Sequence, residues 1–216
     1  GCELSVMAAR EAPVMPGARS PSPRHLTGVL DRLEGWLLRW ADAITAHARH
    51  APPSSERLKA ARIVAHRGIY DNIRIFENSL SAFDKVREAG IWGLECDVRW
   101  TRDGVAVVHH DPDGRRLHHF TRPIASMTLR ELQPAAPLIP TLETVVQRYG
   151  KRLHLMIEVK AAPGIAPPEV DRSLAAVLAS LVPGKDYHLM SLSLEVLAGI
   201  AAVPRRACLP IARLNP

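Results

Sequence analysis

The chain reads as an α/β protein whose β-strands run parallel and close toward a (β/α) barrel. Two observations predict this. From Arg62 onward, short β-rich runs alternate with helical patterns, which implies a parallel sheet joined by right-handed crossovers. The polar residues His, Glu, Asp, Arg and Lys gather at or just beyond the ends of those runs, where β/α barrels carry their chemistry. A closed eight-stranded barrel takes about 250 residues, whereas about 155 lie from Arg62 onward, so the expectation is a barrel truncated after about six strands.

Residues 1–28 are rich in Pro, Ala, Arg and Ser without periodicity and read as a flexible leader. Leu30, Leu33, Leu37, Trp40 and Ile44 then form an apolar stripe at helical spacing, with Thr27 as N-cap. This N-terminal helical extension could pack on the main domain, mediate a homo-oligomer or lie on a membrane surface. The charges from Asp31 to Asp42 sum negative, which disfavours anionic lipid. Ala51–Arg57 (APPSSER) reads as a linker, so residues 29–60 form helix plus linker, and 61–216 the barrel domain. Strands are expected near 62–67, 94–99, 105–109, 153–159, 187–192 and 207–212. Helices are expected near 78–89, 128–133, 141–149, 169–182 and 193–202.

Composition narrows the function. Lys plus Arg number 28 against 22 Asp plus Glu, a net charge of +6. No basic run or aromatic-interleaved basic strand accompanies that excess, so nucleic acid is not the expected partner. Three cysteines without a CxxC pair argue against a disulfide framework and for a reducing, cytoplasmic setting. No apolar run approaches a membrane span. Cys96, between Glu95 and Asp97, is expected on the opposite strand face, beneath the helices.

Glu95 and Asp97 are i and i+2 on one strand, so their carboxylates share a face and repel unless a cation lies between them. Glu158 ends a later strand. Three converging carboxylates suit a hard divalent cation, Mg²⁺ or Ca²⁺. His66 ends the first strand and His110 the third, and histidines titrating near neutrality can serve as acid and base. Arg67 follows His66, and Lys160 shares the face of Glu158. A guanidinium and an ammonium beside a cation suit an anionic group, and phosphate is the expectation. Gly68 permits a sharp turn at the rim. Glu77 either holds Arg67 and the metal shell or belongs to a helix cap. His109 should point away from the site, and His118 and His119 are expected in solvent.

The segments AHRG, FENSLSAF, GLECDVRWTRDGVAVVHHD, IPTLETVV and LMIEVK, in this order and spacing, resemble the glycerophosphodiester phosphodiesterase family from about Ile63 to Lys160. The resemblance implies a TIM-type barrel and a divalent cation. It also implies metal-dependent hydrolysis of glycerophosphodiesters, small-molecule substrates, to glycerol 3-phosphate and an alcohol. Carried over, His66 and His110 would be the acid–base pair, Glu95, Asp97 and Glu158 the metal ligands, and Arg67 and Lys160 the phosphate-binding cations. The sequence departs from the family pattern at Phe76, where proline is usual, and at Leu192, where phenylalanine follows the serine. The segment DPDGRRLHHFTRP after His110 stands where threonine and glycine are commoner. Two rival readings are a phospholipase D-like hydrolase of lysophospholipids or sphingolipids, and a non-catalytic truncated barrel.

Overall fold

A computed structural model of the chain describes residues 54–212. The expected leader, the stripe from Leu30 to Ile44 and its oligomeric role lie outside the described residues. Within them, part of the segment read as linker is helical. Ser54 Oγ accepts from Arg57 N at 3.3 Å and starts α1 (Ser55–Lys59). No residue of α1 is buried.

The order is then β1 (Val64–His66), α2 (Leu80–Glu88), β2 (Gly93–Trp100), β3 (Ala106–Val108), α3 (Leu129–Ala135), α4 (Leu142–Tyr149), β4 (His154–Val159), α5 (Pro167–Leu178), β5 (Tyr187–Ser191), α6 (Leu194–Ala198) and β6 (Cys208–Pro210). Local chemistry sets the helix starts. Ser79, Thr128, Thr141 and Ser193 each cap a helix with the side-chain oxygen, and Thr128 closes a capping box with Glu131. The last expected helix, near 193–202, is shorter in the structure, where α6 ends at Ala198 with Gly199 as its C-cap.

One six-stranded sheet carries the order β1-β2-β4-β5-β6, all pairs parallel, as an open segment of an α/β barrel. The third strand departs from the expected parallel series. β3 pairs antiparallel with the far end of β2, Val98 opposite Val108. The cause is local: Asp103-Gly104 makes a tight turn with Gly104 at φ 77°, and Thr101 N donates to Val105 O at 3.0 Å. β1 ends opposite Glu95, which leaves the outer edge of β2 free for β3.

The core lies between the outer sheet face and the helices. Leu94, Cys96 and Val98 of β2 and Leu155, Ile157 and Val159 of β4 are fully buried there against Phe83, Val145, Tyr149 and Leu174. Cys96 takes the expected position. A second, smaller core of Val107, Ile124, Met127, Leu132, Ala136 and Ile139 holds the excursion between β3 and α4. Alternation along the strands then leaves the odd-numbered acids of β2 and Glu158 of β4 on the inner face.

Candidate active site

The pairing register brings the acids together. His66 lies opposite Glu95, and Asp97 opposite Glu158. One carboxylate oxygen from each of Glu95, Asp97 and Glu158 lies within 4.8 Å of the others. All three are buried, Asp97 completely. The family reading implies a divalent cation here, and the donor set fits one. The three are hard oxygen donors, and Glu95 Oε1 is buried without a hydrogen-bond partner among the described residues. Burial, then repulsion from Asp97 and Glu158, pushes the Glu95 carboxyl up to about 8. Uncompensated negative charge of this kind is what a bound cation relieves.

The two expected cations converge on Asp97. Lys160, just past β4, places Nζ 2.8 Å from Asp97 Oδ1 and 2.5 Å from Glu158 Oε1. Arg67 Nε lies 3.2 Å from Asp97 Oδ2, and its Nη1 donates to Glu77 Oε1 at 3.0 Å. Burial raises the Asp97 carboxyl, but Lys160, Asn78 and Arg67 outweigh it and hold the group below the usual range.

Arg67 is held by its backbone as well. It adopts φ 57°, in the left-handed region, while its N–H donates to Glu95 O at 3.0 Å and Glu95 Oε2 at 3.1 Å. Gly68 follows at φ 92°, and a Cβ there would stand 2.7 Å from Ala82 Cβ. The rim turn therefore requires glycine for both its conformation and its closeness to α2.

His66 extends from the end of β1 with its side chain 65% exposed and Nε2 3.8 Å from Glu95 Oε2. Partial burial, then the charge of Arg67, lowers its pKa, and the charge of His110 adds to that. His110 does not end a parallel strand. It reaches the site because β3 runs back along β2, which lets His109 N donate to Asp97 O at 3.0 Å. Arg99 Nε then donates to His110 O at 2.8 Å. His109 is buried, with Nε2 3.1 Å from Asp113 O.

Two expectations resolve differently from each other. Glu77 is no helix cap, since Ser79 caps α2. It is 4% exposed and takes hydrogen bonds from Arg67, Asn72 and Arg116. Burial raises its carboxyl, but Arg116, Asn72 and Arg67 overcome this and hold it at about 2. His118 is not in solvent, whereas His119 is exposed. The His118 ring packs on Phe76 at 5.9 Å and His109 at 5.3 Å, and burial brings it down to about 4. Phe76 and His118, two departures from the family pattern, thus touch each other.

Sequence reasoning passed over Asn78, Asp111 and Arg116. Asn78 donates to Asp97 Oδ2 at 2.9 Å and accepts from Asp97 N at 3.2 Å, at φ 56°. An asparagine two residues before a helix is a left-handed turn signal, so it was open to notice. Arg116 contacts Glu77 across 39 residues, and no local spacing announces such a pair.

A family model, the glycerophosphoryl diester phosphodiesterase family, matches residues 66–198, more than half the chain. The chain belongs to this family. A glycerophosphodiester phosphodiesterase from Caldanaerobacter subterraneus subsp. tengcongensis is 31% identical over 127 residues, covering 53% of this chain and 51% of the relative. The crystal structure of the glycerophosphodiester phosphodiesterase from Thermotoga maritima aligns with a TM-score of 0.54 and 32% identity, over 63% of this chain and 57% of that one. An Oleispira antarctica phosphodiesterase, solved in complex with the product sn-glycerol-3-phosphate, aligns with a TM-score of 0.53 at 25% identity, over 64% and 60%. The chain spans about half the length of the curated phosphodiesterases it matches. The matched span of the family model contains His66, the acid triad, His110 and Lys160.

Proposed function

We propose that the chain hydrolyses glycerophosphodiesters to glycerol 3-phosphate and an alcohol with the aid of Mg²⁺ or Ca²⁺, and that residues 61–216 form the catalytic domain. One observation carries the reading: three buried carboxylates within 4.8 Å of one another, with Arg67 and Lys160 interleaved among them. Glu95, Asp97 and Glu158 would hold the ion, which when bound supplies Lewis-acid stabilisation to a phosphate oxygen.

Arg67 and Lys160 offset charge on the phosphoryl oxygens and orient them, with the guanidinium held rigid by Glu77. His66 and His110 move the protons. One ring takes a proton from the attacking hydroxyl and the other gives a proton to the leaving alkoxide, each contributing on the order of 10²- to 10⁴-fold. The test is release of glycerol 3-phosphate from glycerophosphocholine with and without chelator. Turnover that needs the ion supports the reading, and turnover unaffected by chelator or by Glu158→Gln would sink it.

One observation favours a greasier substrate as a second reading. A cavity of about 200 Å³ adjoins Lys160, lined by Ala161, Ala162, Ile165, Val170, Val196 and Ile200 among others. That lining is mostly apolar, as a phospholipase D-like activity would need beside its phosphate site. Comparing glycerophosphocholine with lysophosphatidylcholine separates the two: faster release from the lysolipid favours the second reading. Among the described residues, no helix is long and apolar enough to cross a membrane.

A further inference from the structure

We propose that Asp111 and Arg116 are positioning residues for His110, forming with Glu77 one ionic chain that fixes the tautomer of the His110 ring and ties it to Arg67. The inference rests on the phosphodiesterase reading for its catalytic meaning, but not for its geometry.

The chain is continuous in hydrogen bonds. His110 Nδ1 lies 2.7 Å from Asp111 Oδ1. The other oxygen of that carboxylate accepts from Arg116 Nε at 2.7 Å. The two terminal nitrogens of Arg116 then grip Glu77 as a fork, Nη2 to Oε1 at 2.6 Å and Nη1 to Oε2 at 3.0 Å. Glu77 Oε1 also accepts from Arg67 Nη1 at 3.0 Å. All three guanidinium donors that Arg116 uses thus go to two carboxylates on opposite sides of it. Lysine, a point charge, could not reproduce that arrangement.

The arrangement has a chemical consequence. Burial works against ionising Asp111, but Arg116 and His110 outweigh it and keep the carboxyl low. An ionised carboxylate only accepts hydrogen bonds, so His110 Nδ1 must carry the proton in this contact. In the neutral ring Nε2 is then bare and able to take a proton. The backbone is fixed as well, since Arg99 Nε holds His110 O at 2.8 Å. Ring and main chain are therefore both constrained, and the ring is constrained through groups that need not touch substrate.

These contacts are more than surface decoration. Exposed ion pairs contribute little because water screens them. Here the hub, Glu77, is 4% exposed, and it takes both guanidinium groups. Arg116 itself is 43% exposed at the side chain, so replacing it spares the core. The rival role is a strut that merely pins the 111–120 loop to the turn at Glu77.

Nitrogen-15 NMR of the histidine rings, with H110Q identifying the signals, separates the two roles. In the wild-type chain at alkaline pH, His110 should carry its proton on Nδ1. D111N should shift the ring toward the other tautomer and lower kcat for glycerophosphocholine by about 10²-fold or more, with KM little changed. R116M should give a smaller tautomer shift and a kcat loss of roughly tenfold, again without a rise in KM. A wild-type ring protonated on Nε2 would overturn the proposal with no need for an assay. So would R116M with an unaltered ring spectrum, whether its kcat is normal or only its KM has risen. A wild-type chain that hydrolyses no diester yet has the expected tautomer would instead fault the assigned activity and leave the positioning role standing.

Discussion

The two faces of β2 and β4 ask opposite things of the same strands. On the outer face, Leu94, Cys96, Val98, Leu155 and Ile157 are fully buried in apolar contact. On the inner face, Glu95, Asp97 and Glu158 are almost as buried, yet carry carboxylates within 4.8 Å of one another. Equal burial therefore means stabilisation on one side and stored electrostatic repulsion on the other. The outer face holds the fold together. The inner face is tolerated because Lys160, Arg67 and Asn78 compensate it in part, and a cation would complete the compensation. Substitutions should split along the same line, with outer-face changes costing stability and inner-face changes costing activity.

The largest expected effect belongs to the inner side. His66→Ala should lower kcat by about 10²- to 10⁴-fold while the melting temperature stays within a degree or so, because that ring is mostly exposed and supports no core contact. A collapse of the fold would break the division between the faces. Next, Leu155→Ala should cost about 2–5 kcal/mol in urea unfolding, the range for a fully buried leucine. A loss under about 1 kcal/mol would show that the outer face is not the main source of cohesion.

A smaller effect of opposite sign sharpens the comparison. With chelator present, Glu95→Gln should raise stability by about 1 kcal/mol, since the amide replaces a carboxyl that must either ionise beside two other acids or hold a proton against its ordinary pKa, and with the ion restored the variant should show no turnover. A destabilised variant would mean that Glu95 acts chiefly as a structural partner of the Arg67 backbone.

The smallest effect lies off both faces, at His118. Its pKa is lowered from 6.5 to about 4 by burial, then by His109, His119 and Arg116. The folded state therefore binds fewer protons than the unfolded one between those values. Stability from this group is complete above about pH 6.5 and is lost as pH falls toward 4, by on the order of 1 kcal/mol once solvent screening of the half-buried ring reduces the full linkage value of about 3 kcal/mol. His118→Phe should flatten that slope in melts between neutral and acid pH, and an unchanged slope would place the sensitivity elsewhere.

Much of this was legible before any coordinates. The helices expected near 78–89, 128–133, 141–149 and 193–202 begin within a residue or two of those positions, where Ser79, Thr128, Thr141 and Ser193 cap them by local chemistry. The period-two placement of Glu95 and Asp97 put both acids on one face for an equally local reason. The reversed direction of β3 was less legible, since a three-residue apolar run looks the same either way. Only the Asp103-Gly104 turn distinguished it. Glu77 was left between two roles, and the choice fell to Arg67 and Arg116, 10 and 39 residues away. His118 looked like a loop residue in solvent until Phe76 and His109 were seen to cover it.

The sequence by itself determined which groups are available for the proposed chemistry and which face of β2 and β4 the three acids occupy, because residue type and backbone period are properties of neighbours along the chain. Only the tertiary structure decided which charges meet: Lys160 with Asp97, Arg116 with Glu77, Asp111 with both His110 and Arg116. An ion pair depends on distance in space, and strand register sets those distances without leaving a mark in local sequence.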